Sequence, residues 1–227
     1  MHTIQAPPGH PGQPAALIAY GFLEQQLTID APDPDLPAPV LKAGEHTAHG
    51  TTDILRHGAD RGSGGHLGDH GVGVAATHSG SSLYPEELKG SIDKWLVVAA
   101  TLEAVALAWV EPFAGKADDK AREDAKSAAT TALEQIKVDL TAEAGRKFLT
   151  GASATIADVA VASALSPLFG SVLGKPLQAH FGPVLAWLGA CHELPQFAKA
   201  LGERRRIEGV GAMEREGNGR RRVAKGR

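Results

Sequence analysis

Apolar positions fall at helical spacing most clearly after Tyr84. Leu88, Ile92, Trp95, Leu96, Ala99, Leu102, Ala106 and Trp109 recur every three or four residues, which predicts a helix from Pro85 to Val110 ended by Pro112. A second helix is expected from Lys116 to Glu143. Its stripe of Ala121, Ala125, Ala128, Ala132, Leu133, Ile136 and Leu140 would face a neighbour and its other side is charged. From Thr155 to about Leu173 the pattern changes, because Ile156, Val159, Val161, Leu165, Leu168, Phe169 and Val172 leave no polar face. Such a helix belongs at the centre of a bundle, and Pro167 within it is expected to kink it. Leu177 to Cys191 forms a fourth helix, and Pro195 to Leu201 a short fifth, opened by proline and closed by Gly202. Trp95, Val159, Leu165 and Trp187 are the expected core of this bundle.

The first half is patterned differently. Thr3 to Gln5 reads as a short strand, and Gln13 to Gln26 as a helix with Pro14 in its first turn. Leu27 to Asp30 is a second strand, followed by a proline-rich connection from Asp30 to Pro39. A third strand runs from Pro39 to Lys42, with Ala43-Gly44-Glu45 as a turn. Thr51 to His57 opens a helix. Residues 58–82, dense in glycine and poor in apolar side chains, read as a mobile loop or linker.

Composition narrows the class. Aromatic residues make up only 5% of the chain, so the core must rest on Ala, Val and Leu at close helix approach. The longest apolar region, Trp95 to Val110, is broken by Thr101 and Glu103 and falls short of a membrane span. A single cysteine, Cys191, excludes an internal disulfide and a cysteine-rich zinc site. A reducing, cytoplasmic setting fits these features. Charge is unevenly placed. Residues 203–227 hold nine Lys or Arg against four Glu, whereas the preceding residues are net acidic. The basic tail is either a solvated end or a contact for nucleic acid such as tRNA, although it lacks aromatic residues for base stacking.

Thr155-Ile156-Ala157-Asp158 fits a reciprocal helix cap. The Thr155 hydroxyl would accept from the Asp158 N–H, while the Asp158 carboxylate would accept from the Thr155 N–H. Asp158 could instead be a catalytic or metal-binding carboxylate, but no second acid or histidine lies one turn away.

The stretch RKFLTGASATIADVAVASALSPLF, residues 146–169, resembles the capped central helix of glutathione-transferase-like proteins. Residues 171–203, SVLGKPLQAHFGPVLAWLGACHELPQFAKALGE, are similar to a narrower group. It comprises the transferase-like domains of the elongation factor 1 gamma subunit and of some aminoacyl-tRNA synthetases, the valyl enzyme among them. Phe181, Pro183, Trp187, Cys191 and Pro195-Gln196-Phe197 carry that likeness, and residues 91–115 also resemble the group's first helical pair. The resemblance implies an α+β, glutathione-transferase-like fold. Residues 1–57 would be a reduced thioredoxin-like domain, 58–84 a Gly-rich linker, 85–203 the all-helical domain and 204–227 the basic tail.

The same resemblance implies a glutathione site at Pro39, Val40 and Thr51. Ala38-Pro39-Val40-Leu41 matches a strand led by a cis-proline, and Thr51 takes the place of a serine at a helix start that holds the gamma-glutamyl carboxylate. The plainer reading of Thr51 is an ordinary helix cap. Gly50 departs from the family's acidic residue, and the usual second helix has no room between the strands at Leu27 and Val40.

Transferases of this type activate the thiol with a Tyr, Ser or Cys near the first strand. Gln5 to Pro11 contains none of these, and His10 is the only side chain there that could hold a thiolate. Tyr20 comes too late, and Cys191 reads as a buried thiol. His46 with His49, and His66 with His70, have helical spacing but lie in segments with no helical pattern. No HExxH or P-loop motif occurs, so no metal ligand and no catalytic residue is assigned. Glutathione is the one cofactor implied. Two function classes stay open, with tRNA binding by the tail as a third. One is a non-catalytic assembly domain that joins translation factors or synthetases. The other is a transferase conjugating glutathione to small electrophiles.

Overall fold

A computed structural model describes residues 2–7, 10–22, 26–31, 33, 35–36, 38–62, 83–109, 119–142, 145–171 and 179–201. The basic tail, most of the glycine-rich segment, and His66 and His70 lie outside the described residues.

The amino-terminal part is a four-stranded mixed sheet with two helices. Strands β1 (His2–Gln5), β2 (Leu27–Ile29), β3 (Val40–Ala43) and β4 (His46–His49) lie in the order β2-β1-β3-β4. β1 and β2 are parallel, and β3 is antiparallel to both β1 and β4. Ile4 pairs with Leu41, which pairs with Ala48, so these residues share one face of the sheet. Ile4 and Leu41 are fully buried there beneath helices α1 (Gly12–Phe22) and α2 (Thr51–Gly62). β4 was not expected from sequence. Its His-Thr-Ala-His run is largely exposed at the sheet edge and carries no hydrophobic alternation, so pairing with β3 creates it rather than local preference. Among the described residues between β2 and β3 there is no helix, in keeping with the missing room in the sequence.

α2 also runs further than expected, through Gly58 to Gly62. Ala59 is buried, and Gly58 lets the helix approach the Tyr20 ring of α1, since a Cβ there would come within 2.9 Å of the ring. A glycine that reads as a breaker in sequence is thus used for close packing.

The helical part contains α3 (Lys89–Trp109), α4 (Asp119–Thr141), α5 (Ile156–Ser171), α6 (Gly182–His192) and α7 (Pro195–Leu201). α5 packs along α3 and also meets α1, α2 and α6, which explains why its sequence has no polar face. Trp95, Val159, Leu165 and Trp187 are all buried. Pro167 lies inside α5 without ending it. In α4 the buried stripe begins at Ala125. Ala121 is exposed, contrary to expectation, because it sits in the first turn, ahead of the buried stretch.

The sheet part and the helical part share one continuous apolar core, from Ile4 and Leu41 through Tyr20 to Trp95 and Phe197. Polar contacts add to the join. Asp93 of α3 accepts from Arg56 Nη2 of α2 and from the Tyr84 hydroxyl, both at 2.7 Å. The groups are part-exposed, so this contributes little to stability beyond orientation.

Candidate functional site

The N-terminus of α2 meets the loop before α1 and the middle of α3. Gly50 takes φ of +79°, a conformation that side chains rarely adopt, and its carbonyl accepts from Ile54 to begin α2. A side chain at this position would be strained. Gly50 N–H donates to the Pro39 carbonyl at 2.8 Å and so ties the start of α2 to the residue preceding β3. Pro39 and Thr51 are therefore brought together. Val40 stands within the sheet between Gln5 and His49.

The meeting point is closely filled. Gly12 opens α1 against it, and a Cβ on Gly12 would fall on the Thr51 hydroxyl and within 2.7 Å of the Pro39 ring. His10 is buried at 3% exposure, and its Nδ1 accepts from the Gly12 N–H at 3.1 Å. Loss of solvation on burial depresses the His10 pKa to about 4, so the imidazole is neutral at pH 7. This histidine, singled out in the sequence only as the one side chain of its loop able to hold a thiolate, packs at the site.

The residue that sequence reasoning missed is Glu103. It projects from α3 with its side chain 15% exposed. Its Oε1 accepts from the Thr51 hydroxyl at 2.6 Å and stands 3.2 Å from His10 Nδ1. Burial raises the Glu103 pKa, and the Thr51 bond opposes that shift. In the sequence Glu103 is only a charge interrupting an apolar run, and its sole signal is that it falls one residue after Leu102 of the buried stripe.

A second buried carboxylate has a different character. Asp158 is fully buried and accepts four hydrogen bonds. They come from the N–H groups of Leu149 and Thr155, both at 2.9 Å, the Thr155 hydroxyl at 3.2 Å and the Trp187 indole at 3.0 Å. The Thr155 N–H bond is the one the sequence motif implies. The Thr155 hydroxyl donates to the carboxylate, where the reciprocal motif would have it accept from the Asp158 N–H. Burial raises the Asp158 pKa against the pull of these donors. With its four donors drawn from two backbone N–H groups, a hydroxyl and an indole of the fold itself, this group organises the start of α5.

Two other candidates hold no reactive arrangement. Ser166 Oγ donates to the Ala162 carbonyl at 2.7 Å and lies 3.0 Å from His192 Nε2. Its proton is already used, so the imidazole donates to it rather than activating it. Cys191 is buried, with its pKa pushed well up by burial and then by the charge of Asp158, so the thiol is inert. Among the described residues, no group of three or more His, Cys, Asp or Glu is placed to hold a metal ion, His46 and His49 included. No described helix is long and apolar enough to cross a membrane.

A mixed four-stranded sheet followed by a helical bundle around a capped, apolar central helix is the glutathione-transferase-like fold. Solved structures agree along most of the chain. Glutathione transferase E6 from Drosophila melanogaster superposes with a TM-score of 0.69 at 17% identity, covering 96% of this chain and 98% of that one. The theta-class enzyme from Xanthomonas axonopodis pv. citri, solved with glutathione bound, gives 0.64 at 16% identity, covering 88% and 95%. Transferase F7 from Populus trichocarpa gives 0.69 at 15%, covering 88% and 98%. At such identities the likeness concerns the fold alone. No protein-family model matches the chain. At the level of sequence, the chain is similar to elongation factor 1-gamma-A of Xenopus laevis, 35% identical over 100 residues. That similarity covers 43% of this chain and 22% of the relative, so the chain spans about a fifth of that protein's length.

Proposed function

We propose that this chain is a non-catalytic assembly domain of the translation machinery. The observation that carries the non-catalytic reading is the fate of Thr51. Its hydroxyl, which the resemblance assigns to the carboxylate of glutathione, is buried and donates to Glu103 of the chain itself. The loop from Gln5 to Pro11 offers no Tyr, Ser or Cys to hold a thiolate, and His10 Nδ1 is turned to the Gly12 N–H. The translation part of the reading draws on the similarity to elongation factor 1-gamma-A. In this reading residues 85–203 supply the docking surface for other factor subunits or synthetases, in the cytoplasm. The tail at 204–227 is a candidate contact for tRNA.

Affinity capture with the full chain tests the proposal. Enrichment of elongation-factor subunits or aminoacyl-tRNA synthetases over a matched control is expected, and their absence would contradict it. The competing reading, a glutathione transferase, is favoured by solved relatives of this fold that hold glutathione. Conjugation of a small electrophile above the uncatalysed thiol rate would establish it. Binding of tRNA through the tail would weaken steeply with added salt.

A further inference from the structure

The contact between His10 and Glu103 poses a problem of proton count. His10 Nδ1 accepts from the Gly12 N–H, so its one lone pair is engaged there and it carries no proton to offer Glu103. Glu103 Oε1 accepts from the Thr51 hydroxyl. Two acceptors are thus left 3.2 Å apart in a buried place. With no proton between them, two atoms of partial negative charge stand against each other with little water to separate them, which is costly. One proton on the carboxyl resolves the conflict. The Glu103 carboxyl then turns its O–H toward Nδ1, sharing that lone pair with the Gly12 N–H, while Oε1 still accepts from Thr51. Among the described residues, Thr51 from α2 and His10 from the loop before α1 are the polar side chains within reach of this carboxyl. Burial acts in the same direction, since it favours the neutral form of each partner.

The position of the carboxyl gives this proton a consequence. Thr51 is the first residue of α2, and its hydroxyl, which the resemblance assigns to a ligand carboxylate, donates to Glu103. Glu103 reaches it from the helical part of the chain. Gly12, Pro39 and His10 close the space around it so tightly that not even a methyl group on Gly12 would fit. We propose that Glu103, held as a protonated carboxyl, is an internal occupant of the Thr51 site and closes it to small carboxylate ligands. The inference deepens the non-catalytic reading of the same site and rests on it. Where the resemblance would seat a ligand carboxylate, the chain places a carboxyl of its own.

Two measurements on the full chain decide it. In the first, glutathione is titrated calorimetrically into the wild type, Glu103→Ala and Glu103→Gln. Glu103→Ala vacates the site, and the expected gain in affinity is at least about tenfold over the wild type. Glu103→Gln keeps the shape, with its carbonyl for Thr51 and its amide N–H for His10, and is expected to stay closed. Equal binding by wild type and Glu103→Ala, or no gain in a folded Glu103→Ala protein, would overturn the proposal. The second measurement does not depend on Glu103→Ala folding. The infrared difference between wild type and Glu103→Gln at neutral pH should contain the C=O stretch of a protonated carboxylic acid, and Asp158 cancels because both proteins have it. A difference showing only carboxylate bands would equally overturn the proposal. Failure here with successful capture of translation factors would remove the internal occupant and leave the assembly function standing. Conjugation turnover by the wild type would remove both.

Discussion

Replacing Asp158 by alanine should be among the most damaging single changes in the helical part. The side chain is fully buried and serves four donors from three places, the turn at Leu149, the start of α5 at Thr155, and Trp187 on α6. Its removal leaves all four without this acceptor. A buried donor left unpaired costs about 1–3 kcal/mol, so four that stayed dry would cost about 4–12 kcal/mol, comparable with the whole stability of a domain. Two effects reduce the loss. The burial penalty of the carboxylate itself disappears, as the upward shift of its pKa indicates, and water can enter the vacated space. A net loss of about 3–5 kcal/mol is expected. Asp158→Asn keeps one acceptor oxygen but turns an amide N–H₂ toward other donors, and about 2–3 kcal/mol is expected. Trp187→Phe removes one charge-assisted bond and leaves the other three, for about 1–2 kcal/mol plus a small packing term. The assay is urea unfolding followed by both circular dichroism and tryptophan fluorescence, with coincident transitions required before free energies are compared. In the double variant the Trp187 change should cost less than it does alone, because the indole has already lost its acceptor. An Asp158→Ala loss below about 1 kcal/mol, or strict additivity with Trp187→Phe, would refute this reasoning.

Other expectations follow from the site. His10 has a folded pKa of about 4 against about 6.5 when unfolded, so its contribution is fully present above pH 6.5 and is lost as pH falls toward 4. The shift corresponds to roughly 3 kcal/mol at most, and urea midpoints between pH 7.5 and 4.5 should fall less steeply in His10→Asn than in the wild type. Parallel slopes would contradict this. Glu103 has the opposite sign. Its raised pKa favours the fold at low pH and that contribution is lost as pH rises through the folded value, so Glu103→Gln should gain on the wild type with increasing pH. A difference constant from pH 4 to 8 would argue against it. Gly12→Ala should cost about 1–3 kcal/mol despite the better helix propensity of alanine, through overpacking against Thr51 and Pro39. A thermal midpoint equal to or above the wild type's would show that the site is looser than described.

The helical part was largely legible in the sequence because its signals are local. The stripe through Ile92, Trp95, Leu96, Ala99 and Leu102 is buried as its spacing implies, and the absence of a polar face on α5 reports its central place. The sheet part was legible only where strands are buried. β4 escaped because its polar residues face solvent and its pairing with β3 is not encoded locally. α2 was cut short because Gly58, a breaker by propensity, serves instead to admit the Tyr20 ring. At the candidate site the sequence pointed to Pro39 and Thr51, which do meet. It could not show that Glu103, far along the chain, turns inward to Thr51, since a lone charge on an apolar helix reads as a solvated position. The partnership of Trp187 with Asp158 is hidden for the same reason, being a contact between helices that no spacing rule records.

The central proposal is that this chain, on a transferase-like fold, carries a closed glutathione position and does no glutathione chemistry. A conjugation assay with the full chain, excess glutathione and a standard small electrophile at neutral pH tests it most directly. Free thiols have a pKa near about 8.5, and among the described residues the site offers a neutral His10 and no Lys or Arg to lower it. The account predicts a rate no higher than that of glutathione and electrophile without protein. A rate clearly above that background, and lost in His10→Ala, would contradict it and make His10 the group that holds the thiolate.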